Sequence, residues 1–165
     1  MSQIQLDLGD LTKAAHLSQD RIYRYMLSRV WNKEAKKIGF ICLNPSTADE
    51  EVDDPTVRRC ISFAKSWGGG SLVIGNLFAY RSSSPQILKM VSDPIGPEND
   101  WWLNKIAGEV DILVAAWGST KANGRDREIR ERFRGRLMAL NLTKAGSPGH
   151  PLYLPKNLKP FMLQS

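Results

Sequence analysis

Three short apolar runs, residues 38–43, 72–77 and 112–117, constrain this chain more than any other feature. Each carries apolar side chains on both of its alternating faces, the pattern of a strand covered above and below. Strands of this kind pair in parallel, and a parallel pair needs a long crossover, usually helical. The intervening segments supply such helices. Asp54-Pro55 reads as a helix start, with a carboxylate at the cap and proline in the first turn, and Val57, Cys60, Ile61 and Ala64 continue it as a buried stripe. Pro97-Glu98-Asn99-Asp100 opens a second helix with Leu103, Ile106, Ala107 and Val110 inward, and Ile129, Phe133, Leu137 and Leu140 mark a third. A last strand is expected near residues 142–145 or 152–154. Ahead of the first run, Tyr23, Tyr25, Leu27 and Arg29 alternate with Ile22, Arg24, Met26 and Val30, as in an edge strand. The alternation of strand and helix predicts a three-layer α/β/α sandwich with a four-stranded parallel core sheet, plus that N-terminal edge strand.

A chain of 165 residues, 42% of them hydrophobic, suits one core, so residues 1–165 are read as a single domain whose residues 1–20 are polar and partly irregular. No run approaches the roughly 20 apolar residues that span a bilayer. Residues 1–10 lack the basic start and apolar stretch of a signal peptide, so the cytoplasm is the expected compartment, with no membrane partner. Cys42 and Cys60 fall in no metal-binding spacing and are expected to be reduced, buried thiols. The formal charge of +6 favours a polyanionic partner. A monomer without a cofactor is expected.

In an open α/β sheet, ligands gather outside the carboxyl ends of the strands. Those ends carry Leu43-Asn44-Pro45-Ser46-Thr47-Ala48-Asp49, Asn76-Leu77-Phe78-Ala79-Tyr80-Arg81, Trp117-Gly118-Ser119-Thr120 and Gly146-Ser147-Pro148-Gly149-His150-Pro151-Leu152. Amides, hydroxyls, aromatics and a histidine suit a flat polar ring, hydrogen-bonded at its rim and stacked on its face. Asn76, Phe78, Tyr80 and Trp117 are the candidates for holding such a base, and Arg58, Arg59, Arg81 and Lys144 for phosphate. Each has a plainer reading: Asn44 and Asn76 as turn caps, Trp117 as a core aromatic. Asp49, Asp53, Asp54, Glu98 and Asp100 are the acidic groups from which a Mg²⁺ site would be built, but helix capping already explains Asp54 and Glu98, and no metal is expected. The arginine-rich stretch 124–136 pairs Arg127 with Glu131 and Glu128 with Arg132 at i,i+4, which favours a solvated helix face over a phosphate track.

These strand ends resemble the motifs of the uracil-DNA glycosylase superfamily. Asn44-Pro45 resembles its first motif, Gly-x-Asn-Pro or Gly-x-Asp-Pro, whose polar residue positions the attacking water. Asn76 resembles its base-reading asparagine, and Trp117-Gly118 its Leu-Trp-Gly signature. His150-Pro151 resembles the His-Pro-Ser motif, whose histidine steadies the charge of the departing base. Cys42 stands where the first pattern has glycine, and Leu152 where the last has serine. Asn44 replaces the aspartate of the most active branch; an amide orients water but takes no proton, which leaves Asp49, Asp53 and Asp54 as candidate bases. A closer resemblance is to an uncharacterised bacterial and phage domain of unknown function. Its marks are Leu-Asn-Pro-Ser-Thr-Ala-Asp, Asp-Asp-Pro-Thr, Asn-Leu-Phe-Ala-Tyr-Arg, Gly-Pro-Glu-Asn-Asp and His-Pro-Leu-Tyr-Leu, here from Leu43, Asp53, Asn76, Gly96 and His150.

Together the resemblances imply a base-excising DNA glycosylase acting on a uracil-like, damaged or modified base, with Asn44, His150 and Asp49 catalytic. A repair role or defence against phages with altered bases would follow. The alternatives are a hydrolase or transferase of free nucleosides or nucleotides and a non-catalytic base-binding module. Leu152 and Tyr153 are the side chains placed to wedge a duplex open.

Overall fold

The computed structural model describes residues 12–46 and 51–164. Among them the chain is α/β, with three α-helices and one mixed sheet of seven strands. The strands are β1 (Thr12–Leu17), β2 (Arg24–Val30), β3 (Lys36–Cys42), β4 (Gly69–Asn76), β5 (Ile112–Ala115), β6 (Leu137–Ala139) and β7 (Phe161–Met162). The helices are α1 (Pro55–Ser66), α2 (Asn99–Glu109) and α3 (Arg125–Arg132). In space the strands run β1-β2-β4-β3-β5-β6-β7. β3 pairs in parallel with β4 and β5, and β5 with β6. The pairs β1–β2, β2–β4 and β6–β7 are antiparallel.

The doubly apolar runs are buried on both sides, and adjacent residues show why. Phe40 and Ile41 in β3 are both fully buried, yet they belong to separate core clusters. Phe40 lies with Leu27, Ile38, Leu72 and Ile74 of the sheet and with Val57, Cys60, Phe63 and Ala64 of α1. Ile41 lies with Leu103 and Ile106 of α2, with Ile129 of α3 and with Phe133 just after it. α1 starts as its sequence demands: Asp54 Oδ1 accepts the Val57 N–H at 2.8 Å and Pro55 opens the first turn.

Four expectations are corrected. The third helix does not reach Leu140. α3 stops at Arg132, Gly135 turns the chain at φ 84°, and Leu137–Ala139 emerge as β6. Leu137 joins the same core as Ile129 and Phe133, so the i,i+4 spacing survives although the helix does not. The last strands are therefore β6 and β7; residue 142 makes only an isolated bridge to Pro148, and Pro151–Tyr153 form a 3-10 turn. The alternating segment 22–30 is not at the edge, because β2 is paired on both sides. Its outer neighbour β1 lies in the stretch read as irregular, where alternation of exposed and half-buried residues is masked by small and polar side chains.

One irregularity bears on the site. In the β1–β2 ladder Leu17 faces Arg24 and His16 faces Met26, so Tyr25 is an extra residue, a β-bulge. Bulges re-aim the side chains beside them.

Candidate functional site

The crossover from β3 to β4 runs through α1 on one face, and that from β5 to β6 through α3 on the other. The loops leaving β3 and β5, adjacent strands, therefore part to opposite faces, which opens a crevice at their carboxyl ends. A cavity of about 720 Å³ occupies that place. It is lined from the end of β3 by Asn44 and Ser46, from β4 by Asn76, from β5 by Trp117, from β6 by Asn141, and by the His150 loop. The structure thus brings together Asn44, Asn76, Trp117 and His150, distant in sequence, around one space.

The other sequence candidates are placed elsewhere. Phe78 is buried in the core with α2 and α3, and Tyr80 is half-buried and meets Tyr23 edge-on at 6.1 Å; neither lines the cavity. Arg58 is exposed and donates to the Asp53 carbonyl, Arg59 donates to the Leu154 carbonyl at 2.6 Å, and Arg81 to the Arg21 carbonyl at 3.0 Å. Lys144 is exposed on the turn after Thr143. None of these four cations is a lining residue of the cavity. Asp49 lies outside the described residues. In the arginine-rich stretch, Arg125 is buried and bonds Leu77 O, Asp100 and Glu128, while Arg132 bonds Asp100 at 3.2 Å and meets Glu128 at 3.6 Å.

Asn44 has both a structural job and a spare group. Its Nδ2 donates to Pro45 O at 3.1 Å and Ser82 O at 2.9 Å, tying the β3 loop to the loop after β4. Two carbonyl neighbours fix the amide's orientation and leave Oδ1 as the acceptor it presents. Asp54 also lines the cavity; its Oδ2 accepts from Ser46 Oγ at 3.2 Å. Asp53, by contrast, is ion-paired with Arg29 at 2.8 Å.

Several groups around the cavity have no partner among the described residues. Among the described residues, Asn76 Nδ2, Trp117 Nε1, Asn141 Oδ1 and Arg24 Nε are buried without a hydrogen bond, and all four residues line this one space. Buried polar atoms are nearly always satisfied, so such a concentration marks a place where a ligand or water supplies the missing bonds. Arg24 and Asn141 carried no signal in sequence: the first depends on the bulge, the second on the position of β6.

His150 is held by backbone. Gly118, at φ 79°, takes a left-handed turn after β5 and donates its N–H to Pro148 O at 2.9 Å, which anchors the histidine loop to the strand end. His150 Nδ1 accepts the Leu152 N–H at 3.2 Å, so the neutral ring carries its proton on Nε2 as a donor. Burial lowers the His150 pKa below its ordinary 6.5, and the Asp54 carboxylate opposes that shift in part. The ring is therefore neutral at pH 7. Because the folded state holds the proton less tightly than the unfolded one, His150 costs stability as pH falls through 6.5 toward the lower folded value. An NMR titration of the imidazoles should show a His150 midpoint below 6.5. Asp54→Asn, which preserves the helix cap, should move that midpoint further down; an upward movement would contradict the assignment.

A mixed-sheet α/β chain with a polar cavity at its strand ends is the class that fold and site define. The chain belongs to the family described as "Protein of unknown function (DUF1643)", whose model matches residues 24–152. No curated protein and no solved structure matches the chain. Among the described residues, no helix is long and apolar enough to cross a membrane.

Proposed function

We propose that the cavity binds a nucleobase and that the protein is a base-excising DNA glycosylase, hydrolysing the N-glycosidic bond of a uracil-like, damaged or modified base. The observation that carries this reading is the unsatisfied set Asn76 Nδ2, Trp117 Nε1 and Asn141 Oδ1, two donors and one acceptor fixed around a single space. A heteroaromatic ring with mixed donors and acceptors at its rim answers such a set. The parallel pairings of β3 with β4 and β5, and of β5 with β6, support a glycosylase-like fold beneath it.

The chemistry follows from the placed groups. The bond from the sugar carbon to the base nitrogen breaks, and the base takes the electron pair. His150 Nε2–H donates to the base oxygen on which charge accumulates, as a neutral histidine is suited to do. Asn44 Oδ1 orients a water whose oxygen bonds to the oxocarbenium-like sugar carbon. Asp54, the carboxylate of the cavity wall, takes the water's proton, a job no amide performs.

A second reading, hydrolysis of a free nucleoside or nucleotide, is favoured by one observation: Arg58, Arg59, Arg81 and Lys144 do not line the cavity as a backbone track would require. Both readings are tested by incubating the protein with oligonucleotides carrying uracil, mismatched, damaged and phage-type bases, and in parallel with the free nucleosides and nucleotides. Mass analysis should detect free base and abasic product from one class of substrate. Asn76→Ala should weaken binding and blur the choice of base, since a rim partner is lost. No release from any substrate by the wild type would remove the catalytic reading.

A further inference from the structure

Three arginines are buried to 96% or more: Arg24, Arg29 and Arg125. Two are neutralised in the ordinary way. Arg29 is paired with Asp53, and Arg125 with Asp100 and Glu128. Arg24 is different. Among the described residues its guanidinium makes no hydrogen bond and no ion pair, and its Nε is fully buried without a partner. Taking a cation out of water without neutralising it costs stability, so such a group persists where something other than the fold requires it.

Its direction is deliberate. The extra residue Tyr25 in the β2 bulge interrupts strict alternation, and Arg24 enters the cavity wall beside Asp54, Val57 and Ile74. Asp54 is close enough to favour the charged guanidinium but makes no ion pair or hydrogen bond with it; its oxygens accept from Val57 N and Ser46 Oγ. Burial pulls the Arg24 pKa down only to about 10, so the side chain remains cationic at neutral pH. Ser82, Ser83 and Thr56 line the same cavity. Its volume is that of sites holding molecules the size of a nucleotide.

We infer that Arg24 is an anion anchor, and that the cavity takes a base together with a phosphate of the same nucleotide, the guanidinium gripping the phosphate oxygens. The phosphate itself follows from a buried guanidinium that makes no hydrogen bond or ion pair among the described residues; that it belongs to a nucleotide rests on the base-binding reading above. Two sources carry this chemistry, the monoester of a free nucleotide and the diester of a nucleotide turned out of a strand.

Inorganic phosphate is the first probe. Titrated into the wild-type protein, it should bind saturably and shift the Arg24 Nε–Hε NMR signal. Arg24→Met should weaken phosphate binding by roughly 10- to 100-fold, with a melting temperature equal to or above that of wild type, because a buried charge with no hydrogen bond or ion pair among the described residues has been removed. Arg24→Lys, which keeps the charge but loses the fork, should fall between them. Arg58→Met and Lys144→Met should bind phosphate as wild type does. An unmoved Arg24 signal, or equal phosphate binding by Arg24→Met, would overturn the anchor.

The second arm compares a nucleoside, its 5′-monophosphate and a single-stranded oligonucleotide of the same base. An Arg24-dependent gain for the monophosphate identifies the monoester as the source; a gain confined to the oligonucleotide identifies the diester. Phosphate binding through Arg24 with no added affinity for any base-containing ligand would sustain the anchor while defeating the base reading, so the two fail separately.

Discussion

Trp117→Ala will unfold at markedly lower temperature and denaturant than the wild type, losing about 3–5 kcal/mol of stability, the usual cost of removing a buried indole. Trp117 is 2% exposed and sits in the core cluster that α2 and α3 build against the sheet, so its loss leaves a void that neighbours on three elements cannot all relax into. For a domain of this size the melting temperature should fall by about 6–20 °C. Trp117→Phe separates the indole's two jobs. It keeps most of the packing but removes Nε1–H, a donor with no partner among the described residues. Its midpoint should stay near wild type while ligand affinity drops several-fold, by about 1 kcal/mol. Chemical denaturation with an unchanged slope, alongside calorimetric binding, reads both effects. If Trp117→Phe binds ligand as tightly as wild type, the indole is packing alone.

His150→Ala should have the opposite signature, a large kinetic effect with a small binding effect. On the proposed chemistry the Nε2–H bond strengthens as the base acquires charge, so its benefit is realised in the transition state. Single-turnover base release should fall by roughly 10²–10³, with substrate affinity nearly unchanged. The partial burial of the ring and its bond to Leu152 N argue for a modest structural cost, visible as a small shift in melting temperature. Equal losses in binding and release would make His150 a loop residue that shapes the cavity rather than a donor to the departing base.

Much of the scaffold was legible in the residues because its signals are local. Runs apolar on both faces mark β3, β4 and β5 wherever they occur, and Asp54-Pro55 marks the start of α1 within a turn. β6 was hidden: its three residues continue the helical spacing of Ile129 and Phe133, and only the left-handed turn at Gly135 separates strand from helix. β1 was hidden because an outermost strand buries too little to show strong patterning. In the site, Asn44, Asn76, Trp117 and His150 could be gathered in advance, since strand ends converge by topology. Arg24 could not, because one residue of register decides which way it points. That Arg58, Arg59, Arg81 and Lys144 do not line the cavity could not be read either: composition counts charges but does not reveal where they point, or that backbone carbonyls engage the three arginines.

The outermost strands carry a practical consequence. Family membership is read from residues 24–152, a span that begins on β2 and ends before β7. A protein cut to that span would strip one flank from β2 and one from β6, leaving two rows of backbone amides and carbonyls open to any passing chain. It would also lose the Leu154 carbonyl that Arg59 grips. Such a fragment should self-associate or precipitate while keeping the whole span by which the family is recognised. The stretch that identifies this protein is thus shorter than the stretch that keeps it well behaved in solution.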